Sequence, residues 1–159
     1  MWPVELGVRE QSRPATDPGA MKPMSTTGAP TEPCMGKPPS ALLDGVQEFN
    51  RGEFFECHET LEALWVAERR PIRLLYQGIL QVGVAFYHLQ AGRYRPVVTL
   101  LERGSAHLCP FAPECLGINV TGLLAAAERC LAEVRRLGPK GLDEFDWSLI
   151  PKLEMSGNR

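Results

Sequence analysis

The sequence lacks most of the patterns that announce a function. It has no basic stripe of the kind that grips a phosphate backbone, and its net charge is −2 with a pI near 5.9. Nucleic acid is therefore not an expected partner. There is no glycine-rich phosphate loop and no serine set in a nucleophile elbow, which removes two common catalytic signatures. No run of alternating β-branched residues argues for a sheet. The opening residues lack the charged-then-apolar order of a secretory signal. Cysteine offers no framework either. The five (Cys34, Cys57, Cys109, Cys115 and Cys130) are odd in number and scattered, which reads most simply as thiols in a reducing cytoplasm. Cys109 and Cys115 have no second pair of suitable spacing, and His107 alone does not complete a metal site. They are read as two unrelated thiols.

Charge is also missing from one long stretch. Between Arg73 and Arg93 there is no Lys, Arg, Asp or Glu, a span of nominally membrane-crossing length. Yet it holds Gln77, Gln81, Tyr87, His88 and Gln90, which would be expensive in lipid. A helix at the centre of a water-soluble bundle explains it better, and no membrane is expected.

What is there is enough for one domain. The 159 residues are 44% hydrophobic and 23% charged, sufficient for a real core. Eight of the 14 prolines precede Ser40, among Gly, Ser and Thr. Residues 1–39 are accordingly read as a disordered leader that cannot offset its ordering entropy. Met21, Met24 and Met35 leave a later translation start open. The domain spans 40–155. Ser40 is a good N-cap for a first helix ending at Gly52. A second helix covers 53–67, a third runs from Pro71 to about Ala91, and a fourth starts near Pro96. After the Pro-rich link from Cys109 to Pro113, Asn119 caps a fifth that Gly138-Pro139 stops. The tail around Phe145, Trp147 and Ile150 is expected to pack back. The expected fold is all-α, a compact and mainly antiparallel bundle of about five helices.

Polarity in the wrong place marks the candidate site. On the second helix, Phe54, Phe55, Leu61 and Trp65 fall within roughly 60° of His58, with Glu62 about 40° away. Ionisable groups on a core-facing stripe are costly unless paired or bound to a metal. On the third helix Gln77, Gln81 and His88 form one polar line within roughly 40°. Neighbouring antiparallel helices pack face to face, so the two lines are expected to meet in a buried polar site.

The stretch Phe49-Asn50-Arg51-Gly52-Glu53-Phe54-Phe55-Glu56-Cys57-His58-Glu59-Thr60-Leu61-Glu62-Ala63-Leu64-Trp65 resembles the signature of the DUF309 family, small helical bacterial and archaeal proteins. Tyr76-Gln77-Gly78-Ile79-Leu80-Gln81, Ala85-Phe86-Tyr87-His88-Leu89 and Gly92 match as well, and Gly117-Ile118-Asn119-Val120 matches more weakly. The resemblance covers roughly residues 42–137. It implies a helical domain of a kind often labelled a metal-dependent hydrolase.

His58-Glu59-x-x-Glu62 can be set beside the helical zinc motif His-Glu-x-x-His. In that reading His58, Glu62 and His88 bind a divalent zinc or manganese ion and Glu59 activates water. Two other readings stand beside it. One is a non-catalytic module whose buried polar network fixes helix register, acting through a protein partner or a homo-oligomer. The other is a metal-free pocket for a small molecule, lined by Gln77, Gln81, His88 and Trp65. Cys57, about 100° from His58, is read as a packing residue. Gly78 and Gly83 point to close helix approach or to room for a ligand.

Overall fold

The computed structural model describes residues 32–155. Five α-helices follow one another: α1 (Ser40–Asn50), α2 (Phe54–Ala67), α3 (Arg73–Gln90), α4 (Tyr94–Leu108) and α5 (Val120–Leu137). The all-α expectation holds. The reading of residues 1–31 as disordered, with starts at Met21 or Met24, lies outside the described residues.

The helix ends follow from local chemistry. Gly52 closes α1 at a φ of 79°, its N–H donating to the Phe49 carbonyl at 2.9 Å. Asn119 caps α5, its Oδ1 accepting from the Gly122 N–H at 2.9 Å. At the start of α1 the cap position falls on Pro39, not on Ser40, and no side chain caps it. The extended Pro39 backbone turns its carbonyl to the Leu42 and Leu43 N–H groups.

The charge-free helix α3 is the centre of the bundle. Every residue from Leu75 to Phe86 is buried, and α3 packs most heavily on α4 and next on α2. Helix α1 covers α2, and α5 covers α4. No helix among the described residues is long and apolar enough to cross a membrane. Phe49, Phe54 and Phe86, one from each of the first three helices, meet with ring centroids 5.3, 5.6 and 6.0 Å apart. A Cβ on Gly78 would lie 2.7 Å from Leu108 Cγ and 3.1 Å from the Gly104 carbonyl oxygen. Of the two roles open to Gly78, close helix approach is the one found.

One expectation needs correcting, and two features lie outside the expected helices. Cys34 and Cys115, 81 residues apart, form a disulfide with their Cα atoms 4.4 Å from each other. Cys115 is therefore no unrelated thiol. Spacing in sequence carries no pairing information over such a distance. Regular structure also precedes Ser40. Glu32–Met35 form a 3₁₀ turn, Cys34 joins the core, and its carbonyl accepts from the Leu116 N–H at 2.9 Å. Finally, a small hairpin, β1 (Glu114–Cys115) and β2 (Ile118–Asn119), pairs Glu114 with Asn119 and Cys115 with Ile118. Leu116 and Gly117 turn it at φ values of 49° and 85°, the positive values that a tight two-residue hairpin demands. Ile118 bridges to Met155, and the Asn119 N–H donates to the Glu154 carbonyl at 3.0 Å. The hairpin thus gathers both ends of the described chain.

Candidate functional site

Helix α2 carries His58, Glu62 and Trp65 within about 60° of one another on successive turns. His58 is 5% exposed, and its Nε2 lies 3.4 Å from Glu62 Oε1. Burial lowers the imidazole pKa to about 4, so at neutral pH an uncharged ring sits beside a carboxylate. The Glu62 side chain is 35% exposed. Trp65 is buried under the Arg73 guanidinium, which stands 5.1 Å above its ring. Among the described residues the Trp65 indole N–H has no hydrogen-bond acceptor. Glu59 is exposed, on the outer side of the helix. Cys57 is fully buried, which pushes its thiol up to about 12; it packs and does not react.

Helix α3 contributes Gln77, Gln81 and His88, each 4% exposed. With His58 they are the four buried polar side chains among the described residues. Gln81 Oε1 accepts from His107 Nδ1 of α4 at 2.8 Å. His88 Nδ1 accepts from the Arg93 guanidinium at 3.2 Å, which places the ring proton on Nε2. Burial, with help from the Arg93 charge, lowers the His88 pKa to about 4. Phe55 and Tyr87 connect the two imidazoles as a row of rings, with centroids 5.9 Å (Phe55–His58), 6.0 Å (Phe55–Tyr87) and 5.8 Å (Tyr87–His88) apart. Phe55, expected in the core, is 39% exposed.

The direction of the α3 line follows from its neighbours. Gly78 rests on Gly104 and Leu108 of α4. Tyr87, about 180° round the helix from Gly78, faces Phe55 of α2. Gln77, Gln81 and His88 lie roughly 60–100° from Gly78 on the intervening side. The line therefore looks out between α2 and α4 instead of pressing squarely on α2. That is why Gln81 takes its partner from α4. His107 was passed over in the sequence because it was weighed only as a companion to Cys109 and Cys115. Its position one turn beyond Gly104, on the helix after the polar line, was the available signal.

A three-ligand metal centre does not fit these residues. Among the described residues no group of three His, Cys, Asp or Glu is disposed to hold a metal ion, and the His88 Nδ1 lone pair already faces a guanidinium. What these residues offer instead is buried, uncharged hydrogen bonding: two amides, two neutral imidazoles and an indole N–H, with the partly exposed Glu62 carboxylate beside His58.

No curated protein and no solved structure is matched by this chain. The model of a domain of unknown function, DUF309, matches residues 42–100. That stretch, which is similar to the DUF309 family, holds α1, α2, α3 and the first half of α4, with every singled-out polar residue of α2 and α3 inside it and His107 outside.

Proposed function

We propose that the polar face of α2 around Trp65 binds a small polar molecule without a metal. One observation carries the reading. The Trp65 N–H is nine-tenths buried, shares the α2 face with His58 and Glu62, and has no acceptor among the described residues. Leaving such a donor unmet costs roughly 1–3 kcal/mol. A ligand oxygen that reaches the indole would meet it there, with His58 and Glu62 on the same helix face. Small-molecule sites are built this way, from a largely apolar wall with a few convergent polar groups.

The 3.4 Å His58–Glu62 contact favours a second reading, the metal-dependent hydrolase in which His58, Glu62 and His88 hold zinc or manganese and Glu59 activates water. Against it stand the lack of any group of three His, Cys, Asp or Glu disposed for a metal among the described residues and the exposed position of Glu59. A third, non-catalytic reading draws on the Gln81–His107 bond, which ties α3 to α4 whether or not anything binds.

Thermal melts of the untagged full chain against polar metabolites and against zinc and manganese separate the three. The first reading expects a metabolite to raise Tm, with the rise lost in Trp65→Phe, which keeps a ring and removes the N–H. Near-stoichiometric transition metal in the purified protein, absent from His58→Ala, would overturn it in favour of the hydrolase. Indifference to both classes together with a concentration-dependent oligomer would point to a protein-interaction module. The cytoplasmic placement expected from the cysteines sits uneasily with the Cys34–Cys115 bond, because disulfides persist mainly in oxidising compartments. Trapping the thiols of the native protein in cell extracts decides that point.

A further inference from the structure

A second opening lies where α1 and α3 end and the C-terminal tail crosses them. We infer that this cleft, about 410 Å³ in volume, binds a small planar anion: an aromatic ring carrying a carboxylate or a phosphate. The volume falls within the range of about 300–1,000 Å³ seen for small-molecule sites. Phe49, Phe54 and Pro151 give it apolar walls, Trp147 a large aromatic surface, and Arg51 and Lys152 two positive charges.

The walls are held before anything binds. The Asn50 side chain clasps the tail in both directions, Nδ2 donating to the Leu153 carbonyl at 3.1 Å and Oδ1 accepting from the Leu153 N–H at 2.6 Å. Trp147 is 44% exposed, yet it is fixed, edge to face against Phe145 at 5.4 Å and in a 3₁₀ turn capped by Asp146. A tryptophan held rigid and open to water is poorly used as packing and well used as a stacking surface. The charges favour an anion over a cation. The Lys152 ammonium rests on a neutral acceptor, the Asn50 carbonyl, at 2.8 Å. The Arg51 guanidinium meets Glu53 at 3.0 Å but keeps donors to share. Asp146 is engaged by the Ser148 N–H and hydroxyl at 3.0 and 2.7 Å. The end carbonyls of α1 and α3, which would otherwise attract a cation, accept from the N–H groups of Arg51, Gly52 and Glu53 and of Ala91, Gly92 and Arg93.

The test is a titration of the ¹⁵N-labelled full chain, followed by NMR, with 2-naphthoate and adenosine 5′-monophosphate as probes and adenosine as the uncharged control. Saturable shifts of the Trp147 indole N–H and the Gly52 and Lys152 amides are expected, with Kd ~1 mM or tighter for at least one anion. Adenosine should bind at least about fivefold more weakly than its monophosphate. Lys152→Ala should weaken anion binding about fivefold, and Trp147→Ala about tenfold or more. Both side chains are exposed, and a melting curve checks that both variants fold. Naphthoate binding alone assigns a carboxylate, monophosphate binding alone a phosphate. No saturable shift at these three positions up to 10-fold above that ~1 mM range, or binding unchanged in both variants, overturns the proposal.

Discussion

Breaking the Cys34–Cys115 bond should destabilise the domain by about 2–4 kcal/mol. The bond closes a loop whose ends lie 81 residues apart. For a loop of that length the chain-entropy relation gives about 4.5 kcal/mol of restriction on the unfolded chain at 25 °C. The realised effect is smaller, because the cut chain keeps the Leu116–Cys34 backbone bond at 2.9 Å and can fray locally at residues 32–39 without unfolding. With a urea slope of about 1.5 kcal/mol per molar, a loss of 3 kcal/mol moves the midpoint down by about 2 M. The assay is urea unfolding followed by far-UV circular dichroism, on oxidised protein and on the Cys34→Ala/Cys115→Ala variant. Thiol titration calibrates it. The native oxidised chain should offer one exposed thiol, Cys109, and three on unfolding, with Cys57 and Cys130. Coincident midpoints with three thiols counted would refute the loop argument. Five thiols in protein unfolded without reductant would refute the bond itself.

Other outcomes follow from the interior. Gly78→Ala gains helix propensity but drives a methyl to 2.7 Å from Leu108 Cγ, so a net loss of about 1–2 kcal/mol is expected in the same urea assay. His107→Leu removes the donor to Gln81 and should cost about 1–2 kcal/mol, with an amide left unmet inside the bundle; a neutral result would mean that Gln81 reaches another partner at no cost. Acid should act through the two buried imidazoles. Their folded pKa values, about 4, lie below the unfolded value of about 6.5, so the unfolded chain binds more protons between those limits. Stability is therefore full above pH 6.5 and falls as pH drops toward 4, by up to about 1.4 kcal/mol per pH unit for each ring. His58→Gln should flatten that slope; an equal slope in the variant would show that His58 does not titrate there.

The sequence showed the helices and their breaks because those rest on local rules. Gly52, Asn119 and Gly138 each act within one turn, and the charge-free run from Leu74 to Gly92 could be buried only as a central helix. The hairpin at Glu114–Asn119 escaped notice because two-residue strands carry no alternation, and its turn places a leucine at positive φ where composition suggests none. The disulfide escaped for the opposite reason. Its partners share no local pattern, and only the docking of residues 32–39 against the hairpin brings them together.

The candidate site divides in the same way. Periodicity alone placed His58, Gln77, Gln81 and His88 on core-facing stripes, since a polar residue on an apolar face is visible without any partner. Periodicity could not say which neighbour each stripe faces. A helix as buried as α3 touches more than one other helix. The rule that successive helices pack face to face considers only α2, whereas the backbone contact at Gly78 and Gly104 brings α4 at least as close. Turning the α3 line toward the junction of α2 and α4 changes the chemistry. It brings Gln81 to His107 and His88 to the Arg93 guanidinium, and burial keeps the His88 ring neutral. That arrangement is the ground for the proposal that this region recognises a molecule, which the melts against metabolites and metals test.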